Sequence, residues 1–151
     1  MLTAKDIMTP APVTVTPETE IAAAARLLLE HKFNGLPVVD AAGVLVGILC
    51  QSDLVAQQKK INVPSVFTFL DGFIPLTSLS SMEREIEKIA ATTVAKAMTP
   101  DPVAVDPSEP VDAIATLMVD RKLHTLPVVE KGKLVGVIGK EDILRIIVER
   151  A

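Results

Sequence analysis

The residue types that most often carry catalysis are scarce in this chain. It contains two histidines, His31 and His124, and one cysteine, Cys50, and their spacing matches no familiar Cys/His pairing. Glycine-rich phosphate loops, zinc-ligand spacings and EF-hand loops are also absent from the sequence. We therefore expect no catalytic residue, no metal site and no required cofactor, and we expect that the protein is not an enzyme.

Asp53 and Asp142 are the candidates for polar contacts to a ligand. Each follows an apolar run and stands at the start of a predicted helix. A carboxylate offers two oxygens that accept hydrogen bonds from ligand hydroxyls. The same position also suits an acid that stabilises the helix dipole by about 0.3–1 kcal/mol. Position alone favours this second interpretation.

The composition is that of a folded protein without a nucleic-acid or membrane-binding surface. Hydrophobic residues make up 49% of the chain and charged residues 23%, and the net charge is -4. Binding to a phosphate backbone needs clustered Lys and Arg, and no such cluster is present. The longest apolar stretches stop far short of a membrane span, and no signal peptide stands at the start. A lone Cys50 suits a reducing compartment, so we expect a cytoplasmic protein.

The strongest signal in the chain is an internal repeat. Shifted by 90 residues, the segment 8–40 matches the second half at 15 of 33 positions, whereas chance would give about 2. After the offset changes to 89, Gly47 falls on Gly136 and Asp53 on Asp142. Such self-similarity predicts one supersecondary unit built twice, with each copy burying a face against the other. We place the first copy at residues 1–58 and the second at 97–151.

Each copy begins with an extended segment followed by a helix. In the first copy the segment is Val13–Val15, and we predict that the helix starts at Thr16-Pro17. Thr is a good N-cap and Pro suits the first helical position. Asp106-Pro107 repeats this pattern in the second copy.

The rest of each copy reads as a hairpin and a closing helix. Two strands, 36–39 and 44–49, are joined by a short turn, and in the second copy the turn contains Gly132, which suits a positive φ. The closing helices are predicted near Ser52 and near Glu141. The resulting order is βαββα, twice.

Residues 59–96 connect the two copies and match neither. Ser80 followed by Glu83 is a capping-box pattern and predicts an amphipathic helix. Before it lies a stretch that holds three of the four phenylalanines of the chain, Phe67, Phe69 and Phe73. Two interpretations stay open for this stretch: an irregular segment that covers a core edge, or an exposed apolar patch for self-association or partner docking.

With both copies laid out, the chain resembles a tandem pair of CBS domains, the arrangement called a Bateman module. The resemblance rests on the Met-Thr-Pro lead-in, the Pro-Val-x-Val strand, the helix, the Leu-Pro-Val-Val strand and a Gly-x-x-x-x-x-Asp ending, in this order and twice. It implies an α/β fold in which two βαββα units pack sheet to sheet around a pseudo-twofold axis. It also implies two related clefts that bind an adenosine nucleotide or S-adenosylmethionine.

The resemblance implies that each cleft is built across the pair. Carried over residue by residue, it assigns the first cleft to Ile48, Cys50, Ser52, Asp53, Val103, His124, Thr125 and Pro127. It assigns the second cleft to Val13, Asn34, Gly35, Pro37, Val137, Gly139, Glu141 and Asp142. In such a site a carboxylate can accept hydrogen bonds from both ribose hydroxyls, apolar strands enclose the purine, and helix N-termini favour phosphate oxygens.

The chain departs from the ligand-binding pattern of the family in two ways. Cys50 and Gly139 stand where those members carry Ser or Thr, and Thr125 and Gly35 stand where an Arg often meets phosphate. Glu141 would repel phosphate, so we expect a nucleotide to occupy the first cleft before the second. We expect Cys50 itself to be an inert core thiol.

We therefore expect a regulatory module that senses AMP, ADP, ATP or S-adenosylmethionine. It would signal through the geometry of a homodimer or of a contact with a regulated partner protein. The alternative is a protein-interaction scaffold whose clefts bind no ligand. Asp53, Ser52 and His124 favour the sensor. Cys50, Gly139 and Glu141 favour the scaffold.

Overall fold

The computed structural model describes residues 1–58 and 92–150. Its first half contains α1 (Ala4–Ile7), β1 (Thr9–Pro10), α2 (Ile21–His31), β2 (Gly35–Val39), β3 (Leu45–Cys50) and α3 (Gln51–Gln58). Its second half repeats them as α4 (Val94–Ala97), β4 (Thr99–Pro100), α5 (Val111–Asp120), β5 (Thr125–Glu130), β6 (Lys133–Gly139) and α6 (Lys140–Arg150). The helix predicted after Ser80 and the phenylalanine-rich stretch lie outside the described residues.

Two antiparallel sheets of three strands form the centre of the fold, and each combines both halves of the chain. The hairpin β2–β3 is extended by β4, with Gly47 opposite Pro100. The hairpin β5–β6 is extended by β1, with Gly136 opposite Pro10. The short strand that begins each copy is therefore part of the sheet of the other copy.

The apolar cores are exchanged in the same way. Val94 of α4 is fully buried in the core of the first half, together with Leu36. Ala4 of α1 is fully buried in the core of the second half, together with Leu126 and Ile138. We call the short helix and strand that begin each copy, α1 with β1 and α4 with β4, its lead-in. Since the lead-in of each copy completes the core of the other, the two halves cannot separate without exposing buried apolar surface.

The predicted hairpins, their turns and the closing helices are confirmed. Gly43 and Gly132 occupy equivalent turn positions with φ of +82° and +81°, so the positive φ predicted at Gly132 is correct. The Asp40 carboxylate accepts hydrogen bonds from the backbone N–H groups of Ala42 and Val44, at 2.9 and 3.0 Å. This carboxylate stabilises the first turn locally.

The predicted start of the long helices was wrong. The helices α2 and α5 begin at Ile21 and Val111, not at Pro17 and Pro107. The residues between form a turn in each copy, and the predicted strand before it is reduced to a single parallel bridge from Val15 to Val38 in the first copy.

Backbone pairing between the two halves explains the delayed helix start. The carbonyl of Thr19 accepts the N–H of Val94 at 2.8 Å, and the N–H of Ile21 donates to the carbonyl of Thr92 at 2.7 Å. A helix running from Pro17 would engage the Thr19 carbonyl in its own ladder. The contact with the other half therefore decides where the helix begins.

Two candidate ligand clefts

Two cavities lie where the two halves meet. The first has a volume of about 330 Å³ and the second about 460 Å³. Each is lined by side chains from both halves, and Asn34 and Thr125 contribute to both. Volumes of this size are typical of pockets for small organic ligands.

The first cavity brings together most of the residues predicted for the first cleft. Six of the eight line it: Ile48, Cys50, Ser52, Val103, His124 and Thr125. Asp53 and Pro127 are not on its wall as the structure describes it. Pro127 is fully buried in β5, where its carbonyl accepts the N–H of Val105 at 3.0 Å.

The second cavity is lined by all eight residues predicted for the second cleft. They are Val13, Asn34, Gly35, Pro37, Val137, Gly139, Glu141 and Asp142. Ala11, which follows β1 and lines this cavity, has a left-handed backbone conformation with φ of 47°. Asp101 takes the equivalent conformation before the first cavity, with φ of 49°.

Both aspartates hold the start of their closing helix. Asp53 Oδ2 accepts the N–H of Cys50, and Asp142 Oδ2 accepts the N–H of Gly139, each at 2.8 Å. Their second oxygens differ. Asp53 Oδ1 accepts the hydroxyl of Thr99 at 3.5 Å, whereas Asp142 Oδ1 forms an ion pair with Arg145 at 3.1 Å. The role as helix-start acid is thus visible for both, and Asp142 in addition faces its cavity.

Four cationic side chains on the cavity walls were missed in the sequence analysis. Lys122 and Lys140 line the first cavity, and Lys32 and Arg145 line the second. Two signals could have found some of them. The repeat alignment pairs Lys32 with Lys122 as an identity outside the motifs, and Arg145 stands three residues after Asp142, on the same helix face.

Glu141 lies over Gly139 at the second cavity. A Cβ atom placed at Gly139 would be 2.8 Å from Glu141 Oε2. Asn34 Nδ2, from the other half, donates to Glu141 Oε1 at 3.4 Å. The Glu141 carboxylate therefore occupies the space that a hydroxyl side chain at position 139 would use.

Cys50 lies on the wall of the first cavity, and the ionisation of its thiol is suppressed. Burial, with a smaller contribution from the charge of Asp53, raises the pKa of Cys50 to about 11. The thiolate is the reactive form of cysteine. The inert character expected from the sequence therefore has a physical cause in the structure.

We expect Cys50 to react with iodoacetamide at pH 8 about 100-fold more slowly in the folded protein than in guanidinium, because its pKa is raised from 9.0 to about 11. Between pH 9 and pH 11 the folded state holds a proton on Cys50 that the unfolded state has lost. The free energy of unfolding should therefore fall as pH rises from about 9 to about 11. Equal alkylation rates in the two states would contradict the assignment.

Among residues 1–58 and 92–150, no three His, Cys, Asp or Glu side chains come together as a metal-binding group. Within those ranges, no helix has the length and apolar character needed to span a bilayer.

The family profile of the CBS domain matches this chain twice, over residues 4–60 and 94–149. The chain belongs to the CBS domain family. Among the relatives of this CBS pair, the CBS domain-containing protein CBSX2, chloroplastic, of Arabidopsis thaliana is 32% identical over 150 residues. The match covers 95% of this chain, which spans 62% of the length of that relative.

Solved structures of CBS pairs have the same fold. The crystal structure of CBSX2 in complex with AMP is 30% identical, with a TM-score of 0.75 over 99% of this chain and 98% of that one. The CBS domain pair of protein MJ0100, in complex with 5′-methylthioadenosine and S-adenosyl-L-methionine, is 26% identical, with a TM-score of 0.73 over 100% of this chain and 99% of that one. The fold class and the resemblance predicted from the sequence are confirmed, and both relatives were crystallised with adenosine compounds.

Proposed function

We propose that this CBS pair is a cytoplasmic, non-catalytic regulatory module that binds an adenosine compound in its two clefts. The observation that carries the proposal is the construction of both cavities from side chains of both halves. The adenosine complexes of two relatives support the choice of ligand class.

The walls of the clefts suit a nucleoside. Ile48 and Val103 present apolar surface in the first cleft, and Val13 and Val137 do so in the second. Apolar side chains can enclose a purine, while polar groups such as the hydroxyl of Thr125 and the amide of Asn34 can fix its orientation. In the second cleft, Asp142 can also accept hydrogen bonds from ribose hydroxyls, since a carboxylate has about four acceptor positions.

Signalling follows from the exchanged lead-ins. A ligand in either cleft touches both halves, and the lead-in of each half completes the sheet of the other. If the halves adopt two arrangements, a ligand with higher affinity for one will shift the population towards it. A partner protein that recognises one arrangement will then respond to the ligand, with a coupling that is reciprocal.

Ligand binding should raise the melting temperature of the protein. A compound present at 100 times its Kd adds about 2.7 kcal/mol to the free energy of unfolding, which corresponds to roughly 5–10 °C for a chain of this size. Differential scanning fluorimetry with AMP, ADP, ATP and S-adenosylmethionine measures this shift. Ribose 5-phosphate is the control, because it lacks the purine that the apolar walls would enclose.

A melting temperature unchanged by all four compounds at millimolar concentration would reject the sensor. It would support the alternative in which the clefts are empty and the protein is an interaction scaffold.

We also propose that the partner at the helical surface is a second copy of this chain. Exposed apolar side chains occupy equivalent positions of the repeat: Leu29 and Val119 are 78% and 75% exposed, and Val55 and Leu144 are 65% and 57% exposed. Large exposed apolar patches typically mark interaction sites. Because the same pattern occurs twice, one copy offers two matching surfaces to a symmetric partner.

Light scattering at micromolar concentration should show a homodimer. The double variant Val55→Glu, Leu144→Glu should weaken self-association more than about tenfold, because each glutamate would be buried without a partner in the interface. Ala42→Glu adds the same charge at an exposed hairpin turn and should have no effect. A wild-type protein that stays monomeric across the range would reject the dimer.

A further inference from the structure

The first cleft has a cationic lining. Lys122 and Lys140 contribute two positive charges to its wall, and none of the residues described on that wall is acidic. Ser52 stands in the first turn of α3, where Asp53 already accepts the N–H of Cys50, and its neutral hydroxyl adds no second negative charge to that turn. The charges of this cleft suit a phosphate group.

The second cleft has a balanced lining in which one carboxylate is not ion-paired. The charge of Arg145 is already paired with Asp142 at 3.1 Å. Glu141 receives a hydrogen bond from Asn34, and the described part of the chain shows no ion pair to it. Lys32 is the remaining cation on the wall.

Glu141 stands where Ser52 stands in the first cleft. The two residues are equivalent in the repeat, each following the first residue of its closing helix. The Glu141 carboxylate in the first turn of α6 already interacts with the positive end of the helix dipole, so a phosphate would be attracted less strongly to this helix end. It would also repel that phosphate directly.

We infer that the two clefts of this protein select ligands by charge. The first cleft takes a phosphorylated adenosine such as AMP, and the second takes an adenosine derivative that lacks phosphate. The inference rests on the proposed function, and it assigns Lys122 and Glu141 as the residues that determine the difference. The expectation from the sequence, that a nucleotide enters the first cleft first, thereby gains a structural basis in the two lysines.

The conformation of Lys122 makes a clean test possible. Its φ is 54°, in the left-handed region that glycine adopts without strain. Lys122→Gly should therefore remove the charge without weakening the fold. Lys131 has the same conformation, with φ of 52°, in the exposed turn between β5 and β6. Since Lys131 lines neither cleft, Lys131→Gly is the matched control.

The experiment is a methyl-labelled NMR titration with AMP and, separately, with adenosine, two ligands that differ in the phosphate. The methyl groups of Ile48 report on the first cleft and those of Val137 on the second. AMP should bind more tightly than adenosine at Ile48, and less tightly at Val137. Lys122→Gly should weaken AMP binding at Ile48 about fivefold, the ratio for one unit charge about 4 Å from the phosphate in water.

The variants separate the possible outcomes. Lys122→Gly should weaken AMP binding more than adenosine binding, and Lys131→Gly should leave the binding of both ligands unchanged. Glu141→Gln keeps the size of the side chain and should raise the affinity of AMP at Val137 about fivefold. Equal affinities of AMP in the two clefts, or equal effects of the two lysine variants, would overturn selection by charge alone. A protein in which neither ligand moves any methyl signal would overturn the proposed function as well.

Discussion

Replacing Leu36 or Leu126 by alanine is expected to lower the free energy of unfolding by about 2–5 kcal/mol. The two leucines occupy equivalent positions in β2 and β5, and both are 0% exposed. Each substitution removes buried apolar surface and leaves a cavity, which the closely packed strands cannot close. Urea unfolding followed by circular dichroism measures the change.

Because each core contains residues from both halves, we also expect a single unfolding transition in both variants. Val94 packs in the same core as Leu36, and Ala4 packs in the same core as Leu126. Damage to one core should therefore destabilise both halves, and each variant should unfold in one transition with the m-value of the wild type. Lys133→Ala, at an exposed position of β6 outside the proposed dimer surface, is the control and should change stability by less than about 0.5 kcal/mol. Two separate transitions in Leu126→Ala would show that the halves fold independently.

Gly136→Val should cost about 3 kcal/mol, the upper end of the range for overpacking. Gly136 lies in β6, and a Cβ atom there would meet the Met8 side chain, with its Cγ at 2.8 Å and its Cβ at 3.1 Å. Met8 directly precedes β1, so the added side chain would push the lead-in strand away from the sheet that it completes. Thermal unfolding measures the cost.

A double-mutant cycle with Met8→Ala tests the cause of that cost. In the Met8→Ala background, Gly136→Val should cost at least about 1 kcal/mol less, since contacting residues couple in this range. Gly132→Ala is the control. Its strain arises from a φ of +81° with no atom within 4 Å of the added Cβ, so Met8→Ala should not relieve it. Additive effects of Gly136→Val and Met8→Ala would place the strain elsewhere.

The sequence repeat identified the paired glycines of β3 and β6, but it did not explain why a glycine is required there. The alignment paired Gly47 with Gly136, but nothing local explains a glycine within an apolar strand. In the structure, a Cβ at Gly47 would lie 2.6 Å from Met98 Sδ, as the one at Gly136 would meet Met8. The residue that requires each glycine comes from the other half of the chain.

The resemblance to the family predicted much of the candidate site, because the residues that it assigns stand on the repeated motifs. All eight residues assigned to the second cleft, and six of the eight assigned to the first, line the corresponding cavity. Asp53 is the instructive exception. Its oxygens accept hydrogen bonds from Cys50 and Thr99, and it is not among the residues that line the first cavity.

The sequence by itself determined the elements whose causes are local. Pairs of strand-like runs joined by a short turn predicted the hairpins, a glycine suited to a positive φ predicted the turn at Gly132, and the closing helices were predicted near Ser52 and Glu141. These features depend on neighbours within a few residues, so a single stretch of chain contains their explanation. The repeat then identified both copies as one unit.

The tertiary structure alone decided what depends on the meeting of the two halves. Strands of two residues, such as Thr9–Pro10, carry too little periodicity to be predicted, and their pairing with the other copy is non-local. That pairing moved the start of α2 to Ile21 by engaging the Thr19 carbonyl with Val94. It also placed Lys122 and Lys140 of the second half on one cleft wall with Ser52 of the first, because charges and helix ends far apart in sequence acquire a common field only when the chain folds.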